Sequence, residues 1–425
     1  MNQYYPRLDE TLYRQVLPNG LTVLVNPRRG FSRKMAYFVT DYGAIHRKFT
    51  VDGEEVVSPA GVAHYLEHKL FDMPGGRDIS GEFARLGAFV NAFTSFDLTA
   101  YYFSCTEEFD RCLELLLEFV STPYFTEETV EKERGIIAQE IGMNRDSPDS
   151  RMFENLMTGM YRNHPVSMPI LGTESSIGEI TSRTLYDCHR AFYSPRNMLL
   201  CVVGDVDPRQ VADIAARVLP ADPGPEVIPE SAWPEEMTCP ESYLEERMEV
   251  AMPMFQLGFK CESLGKGEEA IRQEIAADLA AEALFGESSE LYLKLYEEGI
   301  IDSSFGGGFE TIDGMAMLTL SGDSYEPETV RQAVLAQAEK LAAQGIGEGE
   351  FLRMKRSAMG RRIRDLDSFD STCFRLVAYH LSQFDYFRFP GVYAGITEDE
   401  IRAFLRRVVT QERCCLSVIR PIEED

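Results

Sequence analysis

Asp146-Ser-Pro-Asp-Ser-Arg-Met-Phe153 and Asp367-Ser-Phe-Asp-Ser-Thr-Cys-Phe374 are two versions of one phrase. The same offset sets Val130 on Phe351 and Arg134 on Lys355, inside matching helical patterns. With a small shift, Ile180-Thr opens a helix-then-strand unit ending in Met198-Leu-Leu-Cys-Val-Val203, and Ile396-Thr opens a similar unit ending in Cys414-Cys-Leu-Ser-Val-Ile419. Upstream, Ala63 to Phe71 lies against Ala277 to Phe285. Four matches in one order imply an internal duplication.

The stretch from Pro220 to Pro240 carries six prolines. Proline lacks an N–H and fixes φ, so this stretch reads as neither helix nor central strand. It divides the chain into a first half, 1–219, a linker, 220–240, and a second half, 241–425. Tyr13 to Leu17 and Leu21 to Val25 flank Pro-Asn-Gly, which predicts a hairpin with a tight primed turn. Lys34 to Thr40 reads as a strand and Phe89 to Ser104 as a strand pair. Val62 to Phe71, Glu108 to Ser121 and Glu127 to Asn144 have helical spacing, and Thr126 suits the N-cap of the last. Interleaved helices and hairpins predict α+β halves, each with a mostly antiparallel sheet and helices packed on it.

The 425 residues are 44% hydrophobic and 26% charged, a composition that folds around sizeable cores. Lysine and arginine number 42 and aspartate and glutamate 69, giving 42 − 69 = −27. Such a polyanion repels nucleic-acid phosphates and anionic lipid, which argues against both as partners. The count of nine cysteines is odd and no C-x-x-C occurs, so neither a disulfide framework nor a thiolate zinc knuckle is indicated. The first residues lack the basic and apolar regions of a signal peptide, and no apolar run approaches the roughly 20 residues that span a bilayer. These features predict a cytoplasmic protein.

The chemistry gathers at His64-Tyr-Leu-Glu-His68. Residues four apart share a helix face, so two neutral imidazoles here can grip one Zn2+ at about 2.1 Å each. Glu67 can face the same space and take a proton from an attacking water. The order H-x-x-E-H is the inverted form of the commoner H-E-x-x-H. A third ligand is needed, and Glu133 and Glu140, two turns apart on the Glu127–Asn144 helix, are the candidates. Glu140 follows Ile136-Ile-Ala-Gln, an apolar stretch where a buried carboxylate needs a partner, so the pattern favours Glu140 and keeps Glu133 as the alternative. His46, His164, His189 and His380 have no companion at ligand spacing and read as surface or satisfied core residues, and Trp233 as an anchor for the linker.

Gly61-Val-Ala-His-Tyr-Leu-Glu-His-Lys-Leu-Phe71, Gly87-Ala-Phe-Val-Asn-Ala-Phe-Thr-Ser-Phe96 and Glu131-Lys-Glu-Arg-Gly-Ile-Ile-Ala-Gln-Glu140 resemble the insulysin–pitrilysin metallopeptidases, the inverzincins. The resemblance covers nearly the whole chain and is strongest to bacterial zinc-bearing subunits of about this length, related to the mitochondrial processing peptidases. It implies two halves facing each other across a chamber. It implies His64, His68 and Glu140 as zinc ligands, Glu67 as the base, and Glu133 as a support for the ligands from behind. It implies that Asn91 and Ala92 lie on a strand that binds an extended peptide substrate by β-augmentation. For Phe89, Phe93 and Phe96, ordinary strand packing is the simpler reading.

The second half departs from the metal pattern. It sets Asp278, Ala281 and Glu282 against His64, Glu67 and His68, and Arg361 against Glu140, so no second zinc site can be built. Where the family places an arginine and a tyrosine for substrate, Gly314 to Tyr325 offers only the tyrosine. This gap implies a homologous metal-free partner subunit supplying the pair in a heterodimer, with a homodimer as the other arrangement. The sequence thus predicts a zinc metalloendopeptidase. A non-catalytic structural subunit and a module that binds peptide without cutting it are the rival readings.

Overall fold

A computed structural model describes residues 2–422 of the chain. The first compact unit comprises the residues up to Ile141, Pro169–Glu230 and Ile363–Arg388. The second comprises Gly142–Met168, Ser231–Arg362 and the chain from Phe389 on. These units are not the contiguous blocks 1–219 and 241–425.

The first unit is built on seven strands in the order Asn2–Tyr5, Glu10–Val16, Thr22–Pro27, Met198–Gly204, Lys34–Thr40, Thr99–Cys105 and Phe89–Thr94. Neighbours run antiparallel except Thr22–Pro27 and Met198–Gly204, which are parallel. The second unit holds five strands in the order Tyr243–Met248, Cys414–Pro421, Met254–Cys261, Met315–Asp323 and Gly306–Ile312. Again one pair, Tyr243–Met248 with Cys414–Pro421, is parallel and the rest antiparallel. Without its first two strands the larger sheet repeats the smaller one, down to the place of the parallel pair. The architecture is α+β and duplicated.

Side chains repeat as well. Arg134 donates through Nε and Nη2 to the carbonyls of Ile177 and Ile180, and Lys355 donates to those of Ala394 and Ile396. Each cation ties its helix to the turn ahead of a threonine-capped helix, at Thr181 and at Thr397. The two phrases that opened the sequence form the helices Pro148–Met160 and Phe369–Leu381, capped by Ser147 and Ser368. Pro148–Met160 packs on Cys414–Pro421 and Met254–Cys261, where Gly258 leaves room for Leu156 and Met160. Phe369–Leu381 packs on Met198–Gly204 and Lys34–Thr40, and its Asp370 accepts a hydrogen bond from Tyr37. Each of these helices therefore covers the sheet of the unit that does not contain the rest of its own half.

One local expectation changes. The hairpin turn is not of the primed kind. Gly20 N–H donates to Leu17 O and only Gly20 has positive φ, 89°, because Pro18 holds a negative φ at the first corner. The 220–240 stretch, read as a linker anchored by Trp233, carries a short strand of its own. Val227–Pro229 forms an edge strand against Lys48–Val51, an edge position being where a strand tolerates proline. Further on, Glu235 accepts the backbone amides of Arg162, Asn163 and His164 and pairs with the buried Lys260 at 2.8 Å. Trp233 packs edge-on against His164, ring centres 4.5 Å apart. All nine cysteines are free and buried. Among the described residues, no helix is long and apolar enough to cross a membrane.

Candidate metal centre

The helix Val62–Lys69 begins at Gly61, whose φ of 92° is a left-handed value that favours glycine. A Cβ there would collide with the Leu171 carbonyl, so the close approach also requires glycine. The helix is moored to the first turn of Glu127–Arg145. The Tyr65 hydroxyl donates to the Val130 carbonyl, and the fully buried Lys69 donates to Asp72 and, at 3.2 Å, to the Thr129 carbonyl. Thr126 caps that second helix by accepting the Thr129 amide at 3.2 Å. Tyr65 and Lys69, four apart, were not singled out in the sequence; only the packing of the two helices shows what they do.

This mooring brings His64, His68 and Glu140 together, one ligand atom of each lying within 4.8 Å of the others. Glu140 Oε2 stands 3.7 Å from His64 Nε2 and 3.6 Å from His68 Nε2. A tetrahedron with bonds of about 2.1 Å has edges of about 3.4 Å, so Glu140 Oε2 stands from each imidazole nitrogen about as far as two ligands of one zinc ion stand from each other. His68 Nδ1 lies 2.9 Å from Glu133 Oε1. That contact places the proton on Nδ1 and leaves Nε2 a lone pair directed toward Glu140. His64 Nδ1 is buried with no hydrogen-bond partner among the described residues.

Charge points the same way. Glu67, Glu133 and Glu140 have no lysine or arginine within ion-pairing distance among the described residues, and three clustered carboxylates without a cation are costly. Burial, assisted by the nearby His68, lowers the His64 pKa to about 3, so the ring is neutral, as a ligand must be. Burial alone would lower His68 too, but its hydrogen bond to Glu133 and the charges of Glu67, Glu133 and Glu140 raise it overall. Burial raises the Glu67 pKa while Thr94 opposes that rise by donating its hydroxyl to Oε2 at 2.6 Å. Two His nitrogens and a carboxylate fit a divalent metal, with a second carboxylate beside them that is not part of the ligand group.

The expected Glu140 is therefore brought to the two imidazoles and Glu133 to the back of one of them. Glu140 is not at a buried end of its helix, however. Its side chain is 37% exposed and Ile136 is exposed, because the helix buries Val130 and Ile137 instead. Asn91 and Ala92 lie on Phe89–Thr94, one of the two edge strands of the seven-stranded sheet. The Ala92 amide is answered by the Asn91 side chain rather than by another strand. Phe93 packs against Tyr37, Tyr102 and Phe374, whereas Phe89 is 59% exposed. His46, His164 and His189 are buried and hydrogen-bonded to backbone. Thr94 was not foreseen; it meets Glu67 across 27 residues of sequence, and no spacing rule marks such a contact.

At the equivalent places in the second unit, Arg361 Nη2 pairs with Glu282 Oε2 at 2.8 Å, and Arg362 faces Glu274 and Asp278 at 3.6 Å. Ion pairs stand there in place of ligands. Tyr325 is 73% exposed.

A duplicated α+β chain with one His-His-Glu group in its first unit has the form of a metallopeptidase of the inverted zinc motif. Profiles of known families agree: "Insulinase (Peptidase family M16)" matches residues 54–174 and "Peptidase M16 inactive domain" matches residues 179–358. The chain is 38% identical to the "Uncharacterized zinc protease YmfH" of Bacillus subtilis (strain 168), over 98% of both chains. It superposes with a TM-score of 0.93 on a putative M16-like peptidase from Alicyclobacillus acidocaldarius, 32% identical, covering 97% of this chain and 99% of that one. A protease from Helicobacter pylori, at 20% identity, shares the fold with a TM-score of 0.83 over 96% of this chain and 99% of that one. The chain belongs to peptidase family M16, the insulinase family, among whose members its relatives are named zinc proteases.

Proposed function

We propose that this protein is a zinc-dependent endopeptidase that hydrolyses peptides or unfolded segments. The observation that carries the reading is the convergence of His64 Nε2, His68 Nε2 and Glu140 Oε2, with Glu67 set beside them. Zinc bound there supplies Lewis acidity toward water and the scissile carbonyl. His64, His68 and Glu140 hold it, and Glu133 fixes the His68 ring and its tautomer. Glu67 takes a proton from the attacking water and returns it to the departing amine. The edge strand with Asn91 and Ala92 holds an extended peptide by main-chain hydrogen bonds, a mode of binding indifferent to most side chains.

We further propose that a homologous metal-free subunit completes the site with an arginine and a tyrosine, the homodimer being the other arrangement. The ion pairs at Glu282 and Arg361 support a division of labour in which only one unit of this chain carries metal. The free cysteines fit a reducing, cytoplasmic setting. Glu67→Gln is the decisive variant. It is expected to keep stoichiometric zinc and lose hydrolysis of an unfolded polypeptide by roughly 100-fold or more, since the geometry survives and the base does not. Cleavage at the wild-type rate would remove Glu67 from its role. Co-purification from the source with mass analysis tests the partner, and a chain recovered only with itself argues for the homodimer.

A further inference from the structure

We propose that Thr94 is a positioning residue for Glu67, holding its carboxylate as a base beside the metal and keeping it from becoming a fourth ligand. The inference rests on the peptidase reading of the site. A glutamate oxygen is itself a good zinc ligand, at about 2.0–2.2 Å. Glu67 lies between His64 and His68 in sequence and faces their side of the helix, yet among the described residues only Glu140 joins the two imidazoles in the group that could hold a metal. Carboxylate chemistry does not distinguish the two roles; what each carboxylate is tied to does. Glu140 makes no hydrogen bond among the described residues other than its approach to the imidazoles, whereas Glu67 Oε2 receives the Thr94 hydroxyl at 2.6 Å.

Thr94 is itself held firmly. It is the last residue of Phe89–Thr94 and pairs across the hairpin with Thr99. The fully buried Thr99 directs its hydroxyl to the Tyr42 carbonyl at 2.9 Å and approaches the Thr94 hydroxyl at 3.4 Å. The turn between them is closed by the Ser95 amide on the Leu98 carbonyl and by the Ser95 hydroxyl on Asp97. Gly43 lies against the backbone of Phe96 and Asp97, where a Cβ would meet main-chain atoms at 2.6 Å. The hydroxyl that restrains Glu67 is thus anchored in the sheet, at the end of the strand that also carries Asn91 and Ala92.

The test uses the full-length protein as wild type, Thr94→Val and Thr94→Ser. Valine keeps the branched shape and strand preference and removes only the donor. With zinc bound, Thr94→Val is expected to lose roughly 10- to 100-fold in kcat, the scale of a misplaced catalytic group. KM and zinc stoichiometry should stay close to wild type, and Thr94→Ser should recover most of the rate. Cobalt(II) substitution supplies a readout independent of turnover. Thr94→Val should weaken the visible absorption as Glu67 adds to the coordination shell, and Thr94→Val with Glu67→Ala should bring it back. An unchanged cobalt spectrum and kcat in Thr94→Val overturn the proposal, as does a rate loss that serine fails to rescue. A wild type that binds metal but cuts nothing fails the peptidase reading while the spectra still decide the role of Thr94. A wild type that binds no metal overturns both.

Discussion

Exchanging a carboxylate for its amide at Glu133 and at Glu140 separates two roles that look alike in sequence. Among the described residues, the Glu133 side chain meets only the far nitrogen of one proposed ligand, His68 Nδ1, at 2.9 Å. Glutamine there can still accept that hydrogen bond, so what is lost is its charge assistance. Removing a partner of this kind costs about 10- to 100-fold in metal affinity, or roughly 1.4 to 2.8 kcal/mol, and retention of a neutral hydrogen bond places Glu133→Gln near the lower figure. Glu140, in the proposed centre one of three donors, lies 3.6 and 3.7 Å from the two imidazole nitrogens and is the one carboxylate of that group. Replacing that anion by an amide oxygen removes charge from direct contact with a dication, so Glu140→Gln must lose more than Glu133→Gln. Competition for zinc against a chelating dye at neutral pH measures both constants on one scale. A larger loss in Glu133→Gln than in Glu140→Gln would refute the assignment, whatever happened to peptide hydrolysis.

Two further predictions concern stability. Gly61→Ala forces a Cβ into a left-handed conformation against the Leu171 carbonyl at the start of the ligand helix; it should cost about 2–4 kcal/mol and shift the denaturation midpoint, and an unchanged midpoint would show that the turn relaxes freely. Burial lowers the His189 pKa to about 4, and its Nε2 donates to the Val120 carbonyl at 3.0 Å. Its folded value lies below the unfolded one, so the unfolded chain binds this proton first as pH falls; His189 should remove about 3 kcal/mol of stability between pH 6.5 and 4, and His189→Gln should flatten that part of the curve by up to one proton. An equal slope in the variant would mean that other groups set the acid response.

The parts of the site that were legible in sequence are those carried by a single element. Two imidazoles four apart on one helix share a face wherever that helix is placed, so His64 and His68 could be paired without knowing the fold. The choice between Glu133 and Glu140 could not be made in this way, since both face the same side of their helix. Burial in an apolar stretch does not distinguish Glu140 in the fold, because Ile136 and Glu140 are both accessible. What selects Glu140 is the distance along the helix at which it passes the imidazoles, set by Tyr65 and Lys69 against Val130 and Thr129. The hairpin was foreseen and its turn type was not, because Pro18 outranks the Asn-Gly preference.

By itself, the amino-acid order determined the duplication, the H-x-x-E-H helix and the loss of both histidines and of the third carboxylate at the matching places of the second half, where Asp278, Glu282 and Arg361 stand. Each is a matter of residue type and spacing, which survive any arrangement of the elements. Tertiary structure alone decided which sheet each of the helices Pro148–Met160 and Phe369–Leu381 would cover. Two repeats with the same hydrophobic pattern offer each helix two similar sheets, and only specific packing, Leu156 and Met160 over Gly258 and Asp370 beneath Tyr37, tells them apart. It likewise decided that Thr94 would restrain Glu67, since a hydrogen bond between a strand's end and a helix depends on coordinates in space and leaves no period in the sequence.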